Sequence, residues 1–150
     1  MMSQVSVSAN VRVTIQEAAT GRTLARQEHK NLVVSGGLDL VRDLLDGDAV
    51  AGLTHFAVGT GTVAVAASQT TLDAEVYRDT VTQRTSGSQQ LVVSYYLASG
   101  SANSLALSEA GLFNAASGGT MFARVLLSPA INKTSAIAVT FNWTINLGAN

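Results

Sequence analysis

The residues with most chemical potential lie in three stretches: "LTHFAVGTG" (53–61), "TTLDAEVYR" (70–78) and "LSEAGLF" (107–113). In the first, a β-like run ends in Gly59-Thr60-Gly61, as the strand before a phosphate-binding loop would. A dinucleotide site needs a third glycine in register and a helix opening behind it, because the helix N-terminus holds the pyrophosphate. Here "TVAVAAS" follows instead, and no Gly-Lys pair for a P-loop occurs. The expectation is a turn in which glycine supplies positive φ. His29 and His55 have no cysteine, second histidine or H-x-x-x-H partner at metal-ligand spacing. His55, inside an apolar run, reads as a hydrogen-bonded core or interface residue. No G-x-S-x-G elbow is present. The carboxylates to weigh are Asp73, Glu75 and Glu109. In its uncharged setting Glu109 has two readings: a general acid with a raised pKa, or an acceptor for backbone or arginine donors. The second fits a strand better. No catalytic, cofactor or metal residue is assigned.

These stretches must be positioned by strands. Val5, Val7, Ala9, Val11, Val13 and Ile15 alternate with polar residues, which puts one apolar face on a strand. "EAATGR" supplies a turn, and residues 23–34 return, giving an N-terminal hairpin. Leu38, Val41, Leu44 and Leu45 switch to helical spacing, with Ser35 as expected N-cap, Asp39 near the helix start and Gly47 as the stop. Further strands are expected near residues 53–58, 76–85 and 91–97, with a helical turn before residue 76 and a hairpin at residues 86–88. Two more are joined by "AASGG", and a last one holds Ile137, Val139, Phe141, Trp143, Ile145 and Leu147. Pro129 is expected between strands. The fold class is mainly β (α+β): an antiparallel β-sandwich-like domain with one packed helix. Residues 1–30 form a hairpin arm and 31–150 the main domain.

Composition narrows the partners. The chain has 47% hydrophobic but only 13% charged residues, about half the usual charged share. Its surface must rely on Ser, Thr, Asn, Gln and Ala, so part of it is expected to be buried against other subunits. Nine basic and ten acidic residues, with no run of either sign, lack the positive footprint that nucleic acid requires. No stretch reaches the roughly 20 apolar residues of a membrane helix. The N-terminus lacks a signal-peptide pattern, so synthesis and assembly in a cytoplasm are expected.

Taken in order, the three stretches, extended to "LSEAGLFNAASGGTMFA" (107–123), resemble the N-terminal domain of bacteriophage tail-collar fibre proteins. That family shows a Thr-His-small-apolar-Val-Gly segment, a Thr-x-Leu-x-x-Glu-Val-Tyr-Arg segment and a Glu-small-Gly-Leu-Phe segment. "GGLDLVRDLL" occupies the place of its opening helix, so the likeness covers about residues 31–147. The resemblance implies a non-catalytic virion protein that attaches fibres to the tail or baseplate. It makes Thr54, His55, Gly59, Gly61, Glu75, Tyr77, Arg78, Glu109, Gly111 and Phe113 fold-defining, and pairs Glu109 with Arg78. The hairpin lies outside the likeness and is expected to dock on a neighbour through Val5, Val7, Val11, Val13 and Ile15. The expected partners are further copies of the chain and other virion proteins. A capsid decoration protein, a carbohydrate-binding host-recognition module and a small hydrolase are the competing readings.

Overall fold

The alternation over the first strand is used to its full length. In the computed structural model, which describes residues 5–149 with side chains over 6–148, β1 (Val5–Glu17) pairs along its whole length with β9 (Ile137–Ala149). On its other side β1 pairs with β2 (Thr23–Val33). Ala9, Val11 and Val13 from β1 and Val139, Phe141, Trp143 and Ile145 from β9 are buried on one face. Ser8, Asn10 and Arg12 are exposed on the other. One helix follows, α1 (Ser35–Leu45), then β3 (His55–Gly59), β4 (Glu75–Thr80), β5 (Gln83–Gly87), β6 (Gln90–Leu97), β7 (Leu105–Phe113) and β8 (Met121–Lys133).

All neighbours in the nine-stranded sheet are antiparallel, in the order β4-β3-β7-β8-β2-β1-β9-β6-β5. The sheet curls into two facing layers. One turning point is a strand that changes partner: β2 pairs with β1 through Asn31 and with β8 at Leu32 and Val33. At the other corner β4 and β5, the two edges of the sheet, are joined by residues 81–82 alone. Val81 N–H donates to Thr54 O (2.9 Å) and Thr82 N–H to Ser94 O (2.8 Å), so the link is stitched to both layers. Between the layers Phe56 stacks on Tyr95 with centroids 4.5 Å apart and meets Phe141 at 4.6 Å and Trp143 at 6.3 Å. Offset and edge-on aromatic contacts of this kind add to simple burial.

The helix packs on β8 so closely that a Cβ on Gly37 would overlap the Phe122 backbone. Its N-cap is Val34, in extended geometry, and Ser35 is the first helical residue. The expected serine cap is absent because the Ser35 N–H donates to Ala67 O (2.8 Å) and the Val34 N–H to Phe122 O (3.1 Å). Tertiary partners here replace a side-chain cap. Gly47 ends the helix at φ +80°, as its place in sequence implies. Among the described residues no helix is long and apolar enough to cross a membrane.

Other local expectations are corrected. The strand over residues 76–85 divides into β4 and β5, which belong to opposite layers. No helical turn precedes it, and residues 60–74 form a loop. Pro129 lies inside β8, in a wide bulge where residues 127–130 face Ser108 alone. A bulge is one of the few places where a strand tolerates proline.

The largest correction concerns the N-terminal hairpin. It is no free arm, because β1 and β2 occupy the middle of the sheet. Val11 and Val13 are 1% and 0% exposed within their own chain, and Val7 and Ile15 pack against the same core. Those four are therefore committed internally; the side chain of Val5 lies outside the described residues. Period two correctly marks an apolar face but does not say which layer the face meets. Deleting residues 5–33 should abolish the cooperative thermal transition followed by circular dichroism. A deletion variant that still melts cooperatively would return the hairpin to the periphery.

Candidate functional site

Two strands place a buried ion pair on the outer face of the β3-β7-β8 layer. Glu109 in β7 and Arg124 in β8 both have fully buried side chains, and Arg124 Nε donates to Glu109 Oε1 at 3.0 Å. The loop over residues 60–74 folds across them. Its backbone supplies the Gly61 N–H (2.8 Å) and the Ala74 N–H (2.7 Å) to Oε2, and the Asp73 N–H (2.8 Å) to Oε1. Arg124 Nη1 reaches Gln69 Oε1 (3.2 Å), and Gln69 itself clamps the loop through Ala66 N–H and Ala64 O. Ser108 Oγ donates to Gly61 O (2.8 Å). Leu72 from the same loop plugs a small apolar cluster with Val34, Ala57, Phe113 and Met121. Gly111 leaves room for that plug, since an added Cβ would sit 3.0 Å from Leu72 Cδ2.

This explains Gly59 and Gly61, and corrects the turn expected there. Neither glycine has positive φ; the positive-φ glycines of the chain are 21, 47, 118 and 119. A Cβ on Gly59 would lie 2.5 Å from Glu109 Oε2 and from Ala74 O. One on Gly61 would collide with the same carboxylate oxygen and with Asp73. The Gly-Thr-Gly segment is open for an anion, and the anion is the chain's own glutamate.

Burial alone would push the Glu109 pKa up. The Ala74 and Asp73 amides, Arg124 and the Gly61 amide outweigh it and hold the group below the ordinary carboxylate value. With four hydrogen bonds accepted and its side chain fully buried, Glu109 is held as an acceptor for backbone and arginine donors.

Arg78 is not the partner of Glu109. Its guanidinium takes Glu75 in a two-point contact (Nε–Oε2 3.0 Å, Nη2–Oε1 2.7 Å) and donates from Nη1 to Ala115 O and Gly118 O. It also lies 3.7 Å above the Phe113 ring. The sheet register dictates this outcome: β3 separates β4 from β7, with Arg78 opposite Ala57 and Glu109 opposite Gly59. Arg124 is on the adjoining strand, two residues from Leu126, the ladder partner of Glu109. Diagonal neighbours at that spacing are within reach of long side chains.

The remaining motif residues serve the layer junction. Thr54 Oγ1 and His55 Nδ1 are 2.8 Å apart, and Thr54 N–H donates to Phe113 O. Tyr77 faces inward, its hydroxyl near Ser101 Oγ (3.4 Å) and Asp79 Oδ2 (3.3 Å). Tyr95 OH donates to the same Asp79 oxygen at 3.0 Å. Burial, then the bond to Tyr77, raises the Tyr95 pKa.

The structure thus gathers Gly59, Gly61, Glu75, Arg78, Glu109, Gly111 and Phe113 on one face, and sets Thr54, His55 and Tyr77 at the seam. Sequence reasoning missed Arg124, Gln69, Leu72 and Lys133. Arg124 had a signal, as the one charge inside the apolar run "TMFARVLL". Lys133 is 1% exposed, and its Nζ is held by Asn103 Oδ1 (2.8 Å), Thr134 O and Ser99 O. Burial among these neutral acceptors lowers its pKa. Among the described residues no three His, Asp or Glu side chains converge to hold a metal.

Comparison with known proteins found no matching family model, no matching curated protein and no matching solved structure.

Glu109→Gln keeps the shape but removes the charge opposite Arg124, and should destabilise by about 3–5 kcal/mol at pH 7. Because the folded-state pKa is depressed, the contribution of the charge is present above the unfolded value of about 4.3 and fades as pH falls through the folded value. Denaturant curves should therefore show the gap between wild type and variant shrinking below about pH 4. A gap independent of pH would mean that the carboxylate charge is not what holds the loop. Gly61→Ala, which drives a methyl group into the same oxygen, should destabilise to a comparable degree.

Proposed function

We propose that the chain is a structural subunit of a tailed-phage virion, an adaptor or fibre-attachment protein of the tail, collar or baseplate that assembles as a symmetric oligomer. The observation that carries this reading is the use made of the resembling motifs. Three of their ionisable groups, Glu75, Arg78 and Glu109, are spent on each other, on Arg124 and on backbone groups of two loops, while the exposed Asp73 joins only through its backbone N–H. Residues that could have formed a reactive centre instead make a rigid mount. The low charge supports an assembly role as well, because the outer face of β1, β9 and β6 carries Asn10, Thr140, Asn142, Thr144 and Ser94, with Arg12 as its one charge. Such a face suits contact with another protein more than life as a highly charged monomer.

Capsid decoration calls on the same surface properties, so location on the particle separates the two. A carbohydrate-binding module is less favoured: of the aromatic side chains only Tyr96, at 48%, is substantially exposed. Stacking against sugars would have to rest on that one ring. Mass spectrometry of purified particles should detect the chain at a fixed copy number, and antibody labelling in electron micrographs should mark the tail or collar. Label on the shell would favour decoration. Absence from particles would overturn the virion reading.

A further inference from the structure

Among the described residues, a long strand edge is left open along β2. On one side its residues pair with β1, while on the other only Leu32 and Val33 reach β8. Over residues 23–31 no backbone partner is found on that second side among the described residues. The two strands part after Leu32 and Arg124, and further along the same register Pro129, which has no N–H to give, comes level with Gln27. Only the Gln27 side chain spans the gap, donating to Pro129 O at 2.9 Å. An open edge is a template for another strand.

We propose that this edge pairs with the same edge of a second copy, antiparallel, about a two-fold axis at Gln27. Four features of the free segment agree on that register. Gln27 is the midpoint of residues 23–31, so pairing about it uses the whole open edge. It sets Arg26 opposite Glu28 of the second copy, twice by symmetry, so that Glu28, already 2.9 Å from Arg12 of its own chain, meets a second cation; an axis at Glu28 would oppose two glutamates. Leu24, 47% exposed, falls beside the methylene stem of Lys30 from the other copy. Asn31, whose side-chain Nδ2 and Oδ1 are buried without a partner, is set opposite the Thr23 hydroxyl of the other copy. The pairing joins the two β5-β6-β9-β1-β2 layers into one continuous sheet. It rests on the oligomeric part of the proposed function alone, and it holds or fails in solution whatever the particles contain.

The chain has no cysteine, so a single introduced thiol reports the contact directly. Directly opposed residues of an antiparallel pair have Cα atoms about 4.5–5.5 Å apart, inside the disulfide range. Gln27→Cys in the full chain should form a covalent dimer on mild oxidation, and Thr85→Cys on the β5 edge should not. Sedimentation should show a dimer whose dissociation constant rises about tenfold in Arg26→Glu, with recovery in Arg26→Glu combined with Glu28→Arg. A wild-type chain that stays monomeric up to about 1 mM overturns the proposal. So does an oligomer that Thr85→Cys cross-links and Gln27→Cys does not, or a charge swap that fails to restore association.

Discussion

One buried carboxylate organises a whole face of this protein. Glu109 stands on a strand, yet its four donors come from Gly61, Asp73, Ala74 and Arg124, three of them in or at the ends of a loop with no secondary structure of its own. A 15-residue irregular loop over residues 60–74 is long for a small domain and would ordinarily be mobile. Here backbone amides that would otherwise need water are satisfied by an ion, and the ion needs them to offset its own desolvation. Each side makes the other tolerable. The apolar Leu72 plug then anchors the loop on Val34, Ala57, Phe113 and Met121.

That mutual dependence also explains local sequence choices that look unrelated. Gly59 and Gly61 are required by the closeness of a carboxylate oxygen, and Gly111 by the closeness of a leucine. None of the three is required by backbone conformation. Glycine has two separate uses, left-handed φ and the absence of a Cβ, and sequence alone cannot tell them apart. Both uses occur in this chain: Gly47 ends a helix by the first, and Gly61 admits Glu109 by the second.

Strand periodicity made much of the fold legible. The inward faces of β1, β6 and β9 follow directly from alternation, because each strand has one wet and one dry side. The antiparallel, mainly β class was legible for the same reason. Neighbour order was not. Whether β1 lies at an edge or in the centre depends on contacts between residues more than a hundred positions apart, as in the pairing of Val11 with Trp143. Partner choice at the site failed in the same way: Glu109 and Arg78 were expected to pair, but one intervening strand separates them. The charge inside "TMFARVLL" was the better clue, since a buried arginine in an apolar strand demands an acid nearby.

The curl of the sheet and the open stretch of β2 have a common origin. A sheet that is to face itself needs corners that join its layers, and this chain has two. At one, residues 81–82 carry the chain from β4 to β5 with a hydrogen bond to each layer, so the corner is tight. At the other, β2 passes from β1 to β8 but pairs with β8 over only two residues before the strands diverge. The layers therefore splay on that side, and Gln27, His29 and Asn31 occupy inward positions that elsewhere on the sheet hold valine or phenylalanine. His29 Nε2 lies 2.9 Å from Gln27 Oε1, so two of these polar groups satisfy each other, while Asn31 is left without a partner. Polar residues at core-facing positions of a strand cost stability unless they are paired. Their concentration along this single edge shows that the splayed corner was not built as part of the dry core.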